Sequence, residues 1–381
     1  MLTCPLDITE QFYFCSMPLR FDSYIGCQYN CQYCFAKGQE IQGHSGKKGR
    51  GVEPMEWDVF SRDMAIGSSF YSRSIVRECI KKGIAIHWGG MSEPFQPADK
   101  KFRVSARAME IFNYLNYPVC ISTKSPMILE EPYFSLLKKG NYIVQVSLIT
   151  EDKEFARMID YQAPNPKARL ETISRLSDAG IRVVGRIQPV IPGTVVEDKL
   201  GEFILKLAKQ GVYHVSVEGL KLNPVSPINV KLPGLKGQFD RKQGFEFFMS
   251  PARKWKYIKV ALEACKQAGI SCGVADNELR DLGAPNCCIG HVPWLSWSAQ
   301  TGTAIAIAKE KGLVSLTDML SRAWLPKSLY HLQDYNWVRD SAGIRHSQTV
   351  SNCLSQAWNA FDPAKGPKHL LCLKHIGAGV Y

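Results

Sequence analysis

The sequence predicts an α/β chain wound as a closed or partly closed (β/α) barrel, and three observations predict it. Short β-rich runs alternate with amphipathic stretches from about Tyr24 to Leu222, glycines fall where the amphipathic stretches should stop, and polar motifs sit just after the β-rich runs. Taken in order, a helical pattern at 73–81 leads to a strand at 84–88, and helix 105–115 leads to strand 118–123. Helix 133–138 then precedes strand 142–148, helix 168–179 precedes strand 182–188, and helix 197–209 precedes strand 213–220. Gly83, Gly140, Gly180 and Gly211 stand at the helix ends. Strands that alternate with helices pair in parallel, and in barrels of this kind the chemistry belongs to the loops after the C-terminal ends of strands.

The 381 residues suit one large catalytic domain plus an appendage, or two domains. The rhythm changes after Ile270, following a helix at about 252–268, which divides the chain into a segment 1–17, a barrel domain 18–270 and a C-terminal region 271–381. Two polar, Gly-rich stretches, 43–51 and 223–244, read as mobile, solvated surface connectors, the second bearing Lys231, Lys236, Arg241 and Lys242. Lys and Arg number 47 against 35 Asp and Glu, a net charge of +12 that favours anionic partners such as nucleic acid, or serves solubility alone. Residues 1–21 lack the basic start and apolar run of a secretory signal, and no apolar run is long enough to span a bilayer. A cytoplasmic protein with no membrane partner is expected, and there thirteen cysteines point to metal or redox chemistry more than to disulfides. Cys79, Cys120 and Cys265 sit in apolar patterns and read as small buried residues.

Cys27, Cys31 and Cys34 are spaced C-x3-C-x2-C. A structural zinc site takes four N or S ligands, usually as two pairs; no second pair follows at such spacing, and His44 is the nearby fourth candidate. A [4Fe–4S] cluster held by three thiolates keeps one iron open for substrate or cofactor. The run from Tyr24 to Ala36, Tyr-x-Gly-Cys-x3-Cys-x-Tyr-Cys-Phe-Ala, resembles the radical SAM (S-adenosylmethionine) superfamily signature, and within it the branch of spore photoproduct lyase and DNA repair photolyase-like proteins. The likeness extends to WGGMSEPFQP at 88–97, STKS at 122–125, residues 144–147 and QPVIPG at 188–193, covering roughly 18–222.

The resemblance implies a partial (β/α)6-type TIM barrel with a smaller cysteine-containing C-terminal region. It makes Cys27, Cys31 and Cys34 ligands of a [4Fe–4S] cluster whose open iron chelates SAM. A reduced flavodoxin or ferredoxin-type donor would supply the electron that cleaves SAM to methionine and a 5′-deoxyadenosyl radical, chemistry that belongs to the cofactor. Gly89, Gly90, Ser92 and Glu93 match positions that meet the SAM amino group, Lys124 its carboxylate, and Ser147 and Arg186 its ribose and surroundings. Tyr33 and Lys124 are the candidate catalytic side chains. Two departures separate the chain from spore photoproduct lyase itself. Phe35 stands where those enzymes have a second relay tyrosine, and Gly90 stands where they carry a hydrogen-donating cysteine.

Cys272, Cys287, Cys288 and Cys372 are candidate ligands of a second iron–sulfur cluster or of zinc, with Cys353, His291 and His375 nearby in sequence; buried structural cysteines are the plainer alternative. One of them is also a candidate for the missing hydrogen donor. Trp294, Trp297, Trp324, Trp337 and Trp358 among basic residues can stack bases or simply pack a core. Three functions follow, in this order. The first is a radical SAM enzyme that repairs or modifies nucleic acid. The second is a radical SAM enzyme acting on a peptide or protein with an auxiliary cluster, and the third a non-enzymatic metal-dependent nucleic-acid-binding protein.

Overall fold

The computed structural model describes residues 6–8, 15, 17–41, 51–65, 76, 79–80, 83–243, 246–284, 286–290, 310, 313–314 and 379–380. Its centre is one sheet of eight strands whose spatial order follows the chain. They are β1 (Leu6–Ile8), β2 (Leu19–Phe21), β3 (Ile86–Trp88), β4 (Val119–Thr123), β5 (Tyr142–Ser147), β6 (Arg182–Val190), β7 (His214–Gly219) and β8 (Ser271–Val274). β1 pairs antiparallel at the edge; the other seven are parallel. A doubly wound sheet reverses its strand order partway, whereas this one never does, which is the winding of a barrel left open between its first and last strands.

Helices fill the crossovers: α1 (Phe35–Ile41) and α2 (Trp57–Met64) after β2, α3 (Val104–Tyr114) after β3 and α4 (Tyr133–Lys139) after β4. They continue with α5 (Pro166–Asp178), α6 (Leu200–Lys209) and α7 (Pro251–Ala268). Local signals account for their ends. Asn165 caps α5 by accepting from the Ala168 N–H at 2.9 Å with proline at the first position, and Gly269 closes α7 in the left-handed region at φ 69°. Gly83, Gly180 and Gly211 also have positive φ, but Gly140 is extended at φ −108°, because α4 stops without a left-handed turn. The predicted helix at 73–81 lies mostly outside the described residues.

The strands between 84 and 220 fall where the alternation places them, and all five residues of β4 are buried, as expected for a strand covered on both faces. The predicted division near residue 270 cuts through the sheet. β8 pairs in parallel with β7 over Ser271–Val274, so the strand–helix rhythm runs past it. The stretch 223–244 is also more than a solvated connector. Asn223, Ser226, Ile228 and Leu235 are buried, and Arg241–Gln243 forms a two-stranded ribbon with Glu246–Phe248. The stretch 43–50 lies outside the described residues.

Period-two alternation divides the concave face of the sheet into layers. Toward the N-terminal ends of the strands, Ala85, Cys120, Ile143 and Val184 pack with Met17 and Ile289 into an apolar floor. Two residues further along each strand come His87, Ser122, Gln145 and Arg186, a hydrogen-bonded polar layer. Above that layer are the C-terminal strand ends, and the cysteine loop spans them.

Candidate active site

Cys27, Cys31 and Cys34 lie on a turn that opens at Gly26 (φ 77°) and runs into α1, with the Cys34 N–H donating to the Cys31 carbonyl at 3.2 Å and the Gly38 N–H to that of Cys34. The loop is pinned to the barrel mouth by contacts that straddle the cysteines. Gln96 donates to the Gly26 carbonyl at 3.3 Å and accepts from the Gln28 N–H at 3.0 Å, bracketing Cys27. The Gln32 N–H donates to Ile159 at 2.7 Å, and the Gln32 carbonyl accepts from the Ser226 hydroxyl at 2.7 Å and the Ile228 N–H at 3.2 Å. Buried backbone groups in a loop need such partners, and here they fix the loop that carries the thiols.

Cys27 is exposed, Cys34 half-buried and Cys31 buried. Burial pushes the Cys31 thiol up to about 12; Lys124 pulls against this, while Asp160, Cys34 and Cys27 add to it. Burial likewise pushes the Cys27 thiol up to about 11, and a bound cation would favour the thiolate at both. Among the described residues no three His, Cys, Asp or Glu side chains converge on a single ion. A cluster asks for a different arrangement, with each thiolate on its own iron, and three cysteines spread over one clamped turn fit that demand.

Below the loop, the β3–α3 connection carries GGMSEP. Gly89 has φ 87°, and a Cβ there would lie 2.4 Å from the Ser122 carbonyl oxygen and 2.9 Å from the Pro94 ring; a Cβ on Gly90 meets nothing within 4 Å. Gly89→Ala is therefore expected to cost at least the ~1–2 kcal/mol of a left-handed non-glycine residue plus the clash. Gly90→Ala should stay within about 0.5 kcal/mol of wild type, as a substitution without strain. Urea unfolding of the two variants checks the pair. Asp22 holds the rest of this turn, accepting from the Met91 N–H at 2.9 Å and the Ser92 N–H at 3.0 Å; burial, only partly offset by those bonds, pushes its carboxyl up to about 6. Glu93 is engaged by the protein itself. It accepts from the Thr123 hydroxyl at 2.5 Å, the Phe95 N–H at 3.1 Å and the Lys124 N–H at 2.8 Å, tying the β3 turn to the end of β4.

Lys124 lies at the meeting point. Its ammonium is 3.3 Å from Cys31 Sγ and 2.7 Å from Asp160 Oδ1, and it also donates to the Tyr33 hydroxyl. Tyr33 donates to Asp160 at 2.7 Å, and Arg169 Nη1 donates to the other Asp160 oxygen at 2.7 Å. Burial opposes the Asp160 charge, but Lys124 and Arg169 hold its carboxyl well below the usual carboxylate range. Arg169 Nε and Nη1 are fixed on the carbonyls of Pro164 and Ser147, while its Nη2 is buried with no hydrogen-bond partner among the described residues.

Ser147 ends β5 in register with Arg186, whose side chain turns into the polar layer, donating to Gln188 at 2.8 Å and to Ser122 at 3.1 Å. Burial and the Arg186 charge push the His87 imidazole down to about 3, so it stays neutral there. Among the described residues, Cys272 lies apart from Cys287 and Cys288. Cys272 meets the Cys265 thiol of α7, on the helix-covered face of β8, whereas the Cys287 backbone lies against Gly273 on the other face, with the Cys287 and Cys288 sulfurs 3.9 Å apart. Alternation along β8 separates them, since adjacent strand residues point to opposite faces. The Cys288 carbonyl accepts from Gln145 at 2.5 Å, which places the pair beside the barrel floor. Cys353, Cys372, His291, His375 and the five tail tryptophans lie outside the described residues, as does His44. Cys79, Cys120 and Cys265 are buried, as their apolar patterns predict.

Sequence reasoning missed Asp22, Gln96, Asp160 and Arg169. Gln96 lies inside the 88–97 motif and Asp22 just before the cysteine run, and their nearness in sequence was the available signal. Asp160 and Arg169 lie after β5, where barrel chemistry is expected, but nothing in the spacing marks them.

Compared with known proteins, residues 23–207 match the Radical SAM superfamily. An uncharacterised protein of Acidianus two-tailed virus is 26% identical over 191 residues, covering 49% of this chain and 60% of that protein. A radical SAM Nalpha-GlyT isomerase of Pseudomonas phage M6 is 23% identical over 50% of this chain and 37% of its own length. A spore photoproduct lyase variant with bound AdoMet and dinucleoside spore photoproduct superposes with a TM-score of 0.51 at 13% identity, over 68% of this chain and 77% of that one. The matched part of the chain thus spans about 60% of the length of the first of these relatives.

Proposed function

From the radical SAM domain that residues 23–207 form, we propose a radical SAM enzyme whose Cys27, Cys31 and Cys34 hold a [4Fe–4S] cluster and whose substrate is nucleic acid, repaired at a lesion or modified at a base. The observation that carries the first part is the clamped cysteine loop, with the Lys124 ammonium 3.3 Å from Cys31 Sγ. When bound, the cluster and SAM supply reductive cleavage to methionine and a 5′-deoxyadenosyl radical. The electron would come from a reduced flavodoxin or ferredoxin-type protein.

The chain's own residues bind, orient and exclude water. The Gly89–Gly90 turn offers backbone without side chains to an amino acid group, and the Asp22 and Glu93 contacts hold that turn still. Lys124 presents positive charge to a carboxylate. Ser147 lies near the mouth for the ribose, and Arg186 reaches the polar layer below, where neutral His87 adds a ring that carries no charge. Tyr33, between Cys31 and Cys34 in the cluster loop, is hydrogen-bonded to Asp160, and exposed Phe35 has no hydroxyl to share that role.

The net charge of +12 and the exposed Lys231, Lys236 and Lys242 support the nucleic acid reading; Lys236 and Lys242 lie 4.9 and 5.8 Å from the Phe247 ring. No helix among the described residues is long and apolar enough to cross a membrane, and a cytoplasmic setting suits reduced thiols.

The test uses anaerobically reconstituted protein. Iron and sulfide are quantified, dithionite and SAM are added, and 5′-deoxyadenosine is measured beside a Cys31→Ala control. About four irons per chain, with deoxyadenosine lost in the variant, are expected. Zinc with intact SAM would sink the proposal in favour of a metal-dependent binding protein. DNA binding that weakens steeply with salt is expected for the substrate class. Weak, salt-insensitive binding with iron well above four atoms would replace it with a peptide or protein substrate and an auxiliary centre.

A further inference from the structure

We infer that Asp160 and Arg169 are positioning residues that pin the Lys124 ammonium against Cys31, so that this charge sets how readily the cluster accepts an electron. The inference rests on the proposed cluster and adds a role that the SAM-binding reading of Lys124 does not contain. A lysine at a strand end is ordinarily a hydrated charge on a flexible stem. Here the side chain is 15% exposed, and its three contacts are Cys31 Sγ at 3.3 Å, Asp160 Oδ1 at 2.7 Å and the Tyr33 hydroxyl. Asp160, 4% exposed, is itself held through its second oxygen by Arg169, which is 1% exposed and anchored on two backbone carbonyls. A continuous run of fixed contacts therefore reaches from α5 to the cysteine sulfur.

Lys124, Asp160 and Arg169 together carry one net positive charge beside Cys31. Hydrogen bonds to cluster sulfurs and nearby charge both shift a cluster's reduction potential, and burial strengthens the effect by lowering the local dielectric. Removing the ammonium while keeping the Asp160–Arg169 pair should make the cluster harder to reduce. Removing the Asp160 charge leaves two cations near Cys31 and should make it easier to reduce. Opposite signs from two neighbouring substitutions are a signature that a merely structural role would not give.

The experiment is a redox titration of reconstituted full-length protein without SAM, followed by the EPR signal of the reduced cluster, for wild type, Lys124→Met and Asp160→Asn. At a fixed potential the reduced-to-oxidised ratio is expected to fall about tenfold in Lys124→Met and to rise about tenfold in Asp160→Asn, each tenfold step being 59 mV for one electron. Ratios that stay at the wild-type value, or that move in the same direction, overturn the inference. If Asp160→Asn fails to fold around the unpaired Arg169, Lys124→Met decides alone, and an unmoved ratio in it is the overturning result. A wild-type protein that takes up no cluster overturns both this inference and the function it rests on, whereas a loaded cluster with unmoved ratios overturns this inference alone.

Discussion

Cys34→Ala is expected to abolish cluster binding while leaving the polypeptide folded. The Cys34 side chain is half-buried and sits one residue before α1, where its backbone already follows the turn through the Cys31 carbonyl and the Gly38 N–H. Alanine suits that backbone, so urea unfolding of the cluster-free protein should change by no more than about 0.5 kcal/mol. A cluster left with two thiolates loses a ligand that nothing in the described neighbourhood replaces: the nearest acidic groups, Glu93 and Asp160, are already engaged by Thr123, Lys124 and Arg169. Iron after reconstitution should fall from about four atoms per chain toward none, and the visible charge-transfer absorption with it. Full iron content in the variant would remove Cys34 from the ligand set.

The second large effect is on stability. Arg169→Ala should destabilise the cluster-free chain by about 3–5 kcal/mol, the usual cost of breaking a buried ion pair by deleting one partner. Asp160 would keep Lys124, but its second oxygen would be left buried without the guanidinium, and the carbonyls of Pro164 and Ser147 would lose their donor. The measurement is the urea midpoint at neutral pH, read against Arg175→Ala on the same helix. Equal midpoints for the two variants would mean that the Asp160–Arg169 pair contributes little to the fold.

Both expectations draw on contacts of different reach, which explains what could and could not be read in advance. The strand–helix alternation, the helix stops at Gly180 and Gly211, and the cysteine spacing are local patterns, decided by backbone periodicity and by side chains a few residues apart. Gly89 belongs with them in part. Its place at the end of β3 is local, but the overlap with Ser122 that forbids any larger residue comes from the neighbouring strand.

The stretch 223–244 shows the limit of composition. Its glycines and lysines read as a connector, yet the buried Ile228 and Ser226 reach back to Gln32, 194 residues away for the Ser226 bond, and close the cysteine loop from above. The tail cysteines show the same limit. A list of cysteines does not say which face of β8 each one takes, and the pairing of β8 with β7 puts Cys272 and Cys287 on opposite sides.

What the sequence determined by itself is therefore the parallel α/β architecture, the three thiols of the loop and the order of the motifs around them, because each depends on residues close together in the chain. What only the tertiary structure decided is the electrostatic setting of those thiols. Lys124 meets Cys31 across 93 residues and Asp160 across 36, and no periodicity or spacing encodes such a meeting, which exists only once barrel winding brings the ends of β4 and β5 beneath the loop.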